Sequence, residues 1–366
     1  MENNSGDTNV LTHVDGRAGF IRLNRPRALN SLTGGMVRAM TTALTAFAEN
    51  DAVKCVIISG EGERGLCAGG DVRQIYDARH ASETDRTRFW RDEFPMNYLI
   101  SRYPKPFVAF MDGIVMGGGV GISAHGSHRI VTERTRLAMP ETAIGYFPDV
   151  GATWLLPKAP GETGTWLGLT GSEIGAADAI YAGLADYHVD SQRLPELTKA
   201  LTAVCDESDL EAAILRFATE PVRGILPDKR SVMDAAFSRG TIEDIVASLE
   251  TMNDRFGEET MAVMKTRSPT SLKLTLKLLR LGRDSAGLIE CLEREFVAGC
   301  HVLRGHDFYE GVRSVLVDKD RSPKWSPASL EATSDIDADR YLAPTGQPLL
   351  FPSRRLRREA EKFTSK

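Results

Sequence analysis

No Cys-x-x-Cys pair occurs in this chain: Cys55, Cys67, Cys205, Cys291 and Cys300 are scattered, as are its seven histidines. That spacing offers no zinc site and points to a reducing compartment. No apolar run approaches the ~20 residues needed to cross a bilayer, and no solenoid-type repeat stands out. Met1 to Thr8 are polar and include Glu2 and Asp7. They lack the apolar core of a signal peptide and the Arg-rich amphipathic character of a transit peptide, so the expectation is a cytoplasmic protein with no membrane partner. Charge of one sign is missing too: 45 Lys and Arg stand against 50 Asp and Glu, a formal −5. That near-balance gives no ground for a nucleic-acid partner. The 366 residues are 42% hydrophobic and 26% charged, enough to bury a large core in one or two domains.

Local patterns place the elements. Residues 19–23 read as the first strand, stopped by Asn24-Arg25-Pro26, since proline cannot continue a ladder. Met36, Met40, Leu44 and Phe47 recur at helical spacing and predict a helix over 32–47. A buried strand follows at 53–59, then a polar glycine loop at 60–65 and the small residues 66–71, with Asp71 as the N-cap of a further helix. Residues 77–104 predict a helix broken near Pro95, with Trp90, Phe94 and Tyr98 packing inward. The spacing also predicts helices at 161–170 and 176–184 and a short apolar piece at 185–189, with long amphipathic helices from about residue 195. Within that last region SLKLTLKLL alternates like a strand but is assigned to a helix on the length of its segment.

The stretch with chemistry in it runs from Lys105 to Pro157. Phe107 to Met111 form an apolar run between Pro106 and the turn pair Asp112-Gly113, a short buried strand. Gly117, Gly118 and Gly119 follow, and Val120, Ile122 and Ala124 permit a helix that begins there. Its free N–H groups would converge on one point, suited to a developing oxyanion. Glu141 after Pro140 and Asp149 after Pro148 stand among Met139, Ile144, Tyr146, Phe147 and Val150. Burial of that kind raises a carboxylate pKa toward the range useful for acid or base work. A triple glycine is also a common tight turn and Pro-Glu a common helix start, so residue types alone leave the matter even. GGGVG lacks the spacing of a dinucleotide fingerprint, and no acidic strand end follows.

GIVMGGGVGISAHGSHRIVTE and AMPETAIGYFPDVG closely resemble the crotonase (enoyl-CoA hydratase/isomerase) superfamily and, within it, the 3-hydroxyisobutyryl-CoA hydrolases. LNRPRALNSLT, GLCAGGDVRQIY and RGHDFYEGVRSVLVDKDRSPKW fit the same family in the same order, so the resemblance covers nearly the whole chain. It implies an α/β fold, a crotonase-like spiral of ββα units with a C-terminal helical region. Residues 9–195 would form the catalytic core, 196–345 the helical region that completes the CoA site and subunit contacts, and 346–366 a basic tail. It further implies an oxyanion hole from the amides of Cys67 and Gly118, catalysis by Glu141 and Asp149, and substrate contact by Glu93 in RDEF together with Gly118, Glu141 and Asp149.

Where family hydratases carry a glutamate on the helix after the glycines, this chain has Gly121, while it keeps Glu141. The implied reaction is therefore hydrolysis of a short branched 3-hydroxyacyl-CoA, with Glu141 as general base or as nucleophile. No metal and no cofactor are implied, CoA being part of the substrate, and the partner is the acyl-CoA thioester, with a homo-oligomer left open. Lys319, Arg321 and Lys324 are candidate phosphate contacts, and Arg354, Arg355, Arg357 and Arg358 depart from the family pattern. Three alternatives stay open: a thiolate nucleophile at Cys67, an enoyl-CoA hydratase or isomerase, and a catalytically silent acyl-CoA-binding protein.

Overall fold

The structure is a computed structural model that describes residues 8–252 and 254–351. Its strands are β1 (Val10–Asp15), β2 (Ala18–Leu23), β3 (Cys55–Gly60), β4 (Gly65–Cys67), β5 (Phe107–Met111), β6 (Ile114–Met116), β7 (His128–Val131), β8 (Arg136–Ala138) and β9 (Tyr187–His188). The larger sheet has the order β1-β2-β3-β5-β7-β9 and the smaller one β4-β6-β8. Only β1 and β2 pair antiparallel; the other ladders are parallel. Each pass of the chain thus lays one strand in the large sheet (β3, β5, β7) and the next in the small one (β4, β6, β8). This is the expected spiral of ββα units.

The first helices are α1 (Gly34–Glu49), α2 (Val72–Asp77), α3 (Glu83–Ser101) and α4 (Gly118–Gly121). Asp71 caps α2 by accepting from Gln74 N and also pairs with Arg25. Pro95 does not break α3, which runs through it. A proline inside a helix costs ~3 kcal/mol, but α3 also buries Trp90, Phe94, Met96, Leu99 and Ile100, at about 1.5 to 3 kcal/mol for each large apolar side chain. Packing outweighs the missing N–H. β1, absent from the sequence expectation, is an edge strand whose Leu11 and Val14 face solvent, so it carries no inward/outward alternation.

After α4 come α5 (Ala152–Leu155), α6 (Thr163–Thr170), α7 (Ala176–Tyr181), α8 (Leu194–Leu201) and α9 (Glu207–Phe217). α10 (Leu226–Phe237), α11 (Ile242–Glu250), α12 (Arg255–Met264), α13 (Pro269–Arg283), α14 (Leu288–Val302), α15 (Asp307–Val312) and α16 (Asp335–Arg340) complete the chain. SLKLTLKLL is helical, inside α13. Residues 307–325 are helical only in part: α15 passes into a π-helical turn, Arg313–Val317, and Lys319, Arg321 and Lys324 lie exposed beyond it. Arg354, Arg355, Arg357 and Arg358 lie outside the described residues.

The large sheet divides the core. Phe20, Ile57, Val108 and Phe110 point to one face, under Leu197, Leu201, Ile214 and Phe217 of α8 and α9. Their strand neighbours Ile21, Val56, Ile58 and Ala109 point to the other, into the main core shared with α1, α3, α13, α14 and α15. Period-two alternation assigns each strand residue to one side.

Candidate active site

α4 and the turns around it are the point on which the acids converge. A Cβ on Gly117 would lie 2.7 Å from Glu141 Oε1, one on Gly118 2.7 Å from Glu93 Oε1, and one on Gly121 2.6 Å from Val150 Cβ and 2.9 Å from Asn97 Nδ2. The glycine run is therefore a matter of close approach, because carboxylates and the turn that carries Asp149 rest directly on its backbone. The helix itself is shorter than expected, and Ile122 and Ala124 continue it only as turns.

Glu93 projects from α3, Glu141 opens a 3-10 turn at Glu141–Ile144, and Asp149 precedes α5. All three line one cavity of about 250 Å3 with Gly70, Gly118, Trp90, Tyr146 and Phe308. The sequence placed these acids on separate segments, and the fold brings them together. A cavity of about 310 Å3 beside α11 and α13 is larger. There Lys273 pairs with Glu243, Lys277 with Asp339 and Arg280 with Glu162, and among the described residues no acid lines it.

Burial controls the acids. Glu93, Glu141 and Asp149 are 1%, 8% and 6% exposed. Burial first, then the charges of Asp149 and Glu141, pushes the Glu93 pKa well above the carboxylate range. Burial, then Asp149, does the same to Glu141. Asp149 is pushed up to about 7 by burial, an effect partly offset by Trp90, whose indole Nε1–H donates to Asp149 Oδ2 at 2.8 Å. Acids sharing so small a space do not all ionise together.

The amides tell a different story from the sequence expectation. Gly118 lines the cavity, but Cys67 is fully buried, pairs with Val115 inside the small sheet and does not line it. Gly70 lines it instead. Leu32 receives Asp71 N–H and donates to Gly69 O, so it bridges past Gly70 and leaves the Gly70 amide without a backbone partner among the described residues. Gly70 N lies 3.2 Å from where a Cβ on Gly118 would stand. The glycine after Cys-Ala-Gly was readable as a donor, but the choice among neighbouring small residues needed the bridge geometry. Cys67 is also no nucleophile: burial pushes its thiol up to about 12, and the thiolate is the reactive form.

Sequence reasoning missed Glu295, fully buried on α14, whose carboxylate accepts from Gly151 N at 2.8 Å and Thr153 N at 3.1 Å. Burial pushes its pKa up to about 8. A signal existed: Leu288, Leu292, Glu295 and Gly299 follow helical spacing on the buried side of α14, and an acid on an apolar stripe is unusual. Trp90 was read only as packing. His125, in SAHGSH, drew no reading.

Comparison with known proteins agrees with this geometry. The chain is 42% identical over 344 residues to the mitochondrial 3-hydroxyisobutyryl-CoA hydrolase of Gallus gallus, covering 92% of this chain and 89% of that protein. Among solved structures it superposes on a carnitinyl-CoA dehydratase from Mycobacterium thermoresistibile with a TM-score of 0.90 at 43% identity, covering 94% of this chain and 99% of the other. An enoyl-CoA hydratase from Rhodobacter sphaeroides 2.4.1 gives 0.86 at 40%, covering 94% and 100%. The model of the enoyl-CoA hydratase/isomerase family matches residues 18–342. With two sheets wound together and the acids gathered against α4, the chain belongs to the enoyl-CoA hydratase/isomerase family.

Proposed function

We propose that this protein hydrolyses a short branched 3-hydroxyacyl-CoA thioester, converting 3-hydroxyisobutyryl-CoA to 3-hydroxyisobutyrate and CoA as a step of valine catabolism. The observation that carries this reading is the composition of the cavity wall. Glu141 and Asp149 stand together in it, while the family's hydratase position on α4 is Gly121, pressed against Val150 and Asn97. No carboxylate fits there unless both neighbours move. The relatives named as hydrolases support the substrate class.

The thioester oxygen lies between the Gly70 and Gly118 amides, which stabilise negative charge as it develops there. Each such donor is worth about a hundredfold to a thousandfold in rate. Glu141, ionised, brings oxygen to the carbonyl carbon, by direct attack or by taking a proton from the attacking water. A carboxylate whose pKa burial has raised is a stronger base once ionised. The C–S bond breaks, the sulfur takes a proton, and water supplies the oxygen that completes the carboxylate product. Asp149, held by Trp90, orients the water or the 3-hydroxyl and passes the proton toward sulfur. Glu93 contacts the acyl group. The chemistry asks for position and charge stabilisation, with no metal or redox cofactor. The described cysteines form no disulfide, which suits a reducing compartment such as the cytoplasm.

The solved neighbours named as a dehydratase and a hydratase make hydration the competing reading. Free thiol released from 3-hydroxyisobutyryl-CoA, followed beside hydration of crotonyl-CoA, separates the two. Thiol release that disappears in Glu141→Gln is expected. Hydration without thiol release moves the assignment to a hydratase.

A further inference from the structure

Asp149 opens a tight turn. Its carbonyl accepts from Ala152 N at 2.8 Å, and both central residues have positive φ, +52° at Val150 and +82° at Gly151, as in a type I′ turn. Glycine suits such a position, but a β-branched residue does not, and a strained residue of this kind costs ~1–3 kcal/mol. Something must hold the turn in place.

Two buried side chains from distant parts of the chain do so, and they take opposite ends of one peptide group. His125 Nε2 lies 2.7 Å from Val150 O. A carbonyl only accepts, so that nitrogen carries the hydrogen and donates it. Burial lowers the imidazole to about 4, which keeps it neutral in ordinary buffers. On the other side Glu295 Oε2 accepts from Gly151 N at 2.8 Å, and its Oε1 accepts from the amide and hydroxyl of Thr153. Gly151 leaves room for this grip, since a Cβ there would lie 2.7 Å from His125 Nε2 and 2.6 Å from Leu288 Cδ1. The peptide between Val150 and Gly151 is therefore held at its oxygen and at its N–H.

We propose that His125 and Glu295 are positioning residues that clamp the Val150–Gly151 peptide and thereby hold the Asp149 carboxylate in the cavity. Released at either end, the turn relaxes toward negative φ at Val150 and swings Asp149 away from Trp90. The inference rests on the hydrolase reading, in which Asp149 takes part in the chemistry. It also gives α14 a part in the site although its Glu295 does not line the cavity.

The test measures thiol release by the full chain carrying His125→Phe, His125→Gln or Glu295→Gln, each alone and combined with Asp149→Asn. An error of about 1 Å in a catalytic group costs on the order of a hundredfold, so His125→Phe and Glu295→Gln should each lower kcat by ~10–100-fold. KM should stay within about threefold, as for an interaction expressed in the transition state. His125→Gln keeps a donor at similar reach and should recover kcat to within about threefold of the parent. In the Asp149→Asn background the same substitutions should cost less than about threefold, because residues acting through one group are not additive. An equal loss in both backgrounds, or a loss confined to KM, overturns the clamp. Asp149→Asn with undiminished thiol release overturns instead the role given to Asp149, and the clamp with it. If His125→Phe does not fold, the near-isosteric Glu295→Gln decides the question by the same cycle.

Discussion

The two sides of the large sheet obey different rules. Under α8 and α9, Phe20, Ile57, Val108 and Phe110 pack on Leu197, Leu201, Ile214 and Phe217 in an apolar cluster, with the Arg193 guanidinium stacked over the Phe217 ring at its margin. On the cavity side, Glu93, Glu141, Asp149 and Glu295 are all buried. Glu93 Oε1, Glu141 Oε2 and both polar atoms of Asn97 lack a hydrogen-bond partner among the described residues, and Val150 holds a strained φ. Unpaired buried polar groups destabilise a fold unless something binds them. The first region makes the fold stable enough to carry the second, which is what a site built for a ligand looks like when its groups are arranged for the ligand and not for each other.

Substitutions on the two sides should therefore separate activity from stability. The largest effect belongs to Glu141→Gln, which removes the group proposed to bring oxygen to the carbonyl. Thiol release should fall by ~10³–10⁴-fold, about 4 to 5.5 kcal/mol, with the thermal midpoint unchanged or raised. Phe217→Ala should do the reverse. Truncating a fully packed aromatic costs about 3 to 5 kcal/mol, read as a lower denaturant midpoint, while kcat of the folded fraction stays within about twofold, as expected for a site with no contact to the chemistry.

Asp149→Asn sharpens the contrast further, because it should stabilise. The folded carboxyl is pushed from 3.8 to about 7 by burial, so the folded state binds this proton more tightly than the unfolded chain. Stability is then greatest below the ordinary pKa and is lost as pH rises through the folded value. The advantage of Asp149→Asn over the parent protein should grow across that window and level off above it, reaching a few kcal/mol, at about 1.4 kcal/mol per pKa unit. Urea midpoints measured in steps across the window check this, and an advantage that does not change with pH would contradict it. The smallest effect is Asp71→Ala, which removes the cap of α2 and the partner of Arg25 and should cost ~1 kcal/mol, with little change in kcat.

Much of this contrast was legible in the sequence. The apolar runs of β3 and β5 and the helical spacing of α1 gave the scaffold, and Pro-Glu and Pro-Asp in apolar company marked Glu141 and Asp149. What was not legible depends on contacts between distant residues. Cys67 and Gly70 both lie in the run of small residues Cys67-Ala68-Gly69-Gly70, and only the bridge from Leu32 around Gly70 shows which amide is left free. Pro95 reads as a helix break until the burial of its neighbours is known. Glu295 stands 146 positions from Asp149 (295 − 149 = 146), and nothing local links them. β1 shows no alternation because it lies at the sheet edge.

The most direct test of hydrolysis is to follow the oxygen. 3-Hydroxyisobutyryl-CoA would be turned over in water enriched in oxygen-18 and the products weighed by mass spectrometry. Thioester hydrolysis predicts free CoA together with 3-hydroxyisobutyrate carrying the label in its carboxylate, and neither product in Glu141→Gln. An acyl-CoA that stays esterified and changes only by the mass of one water would contradict it.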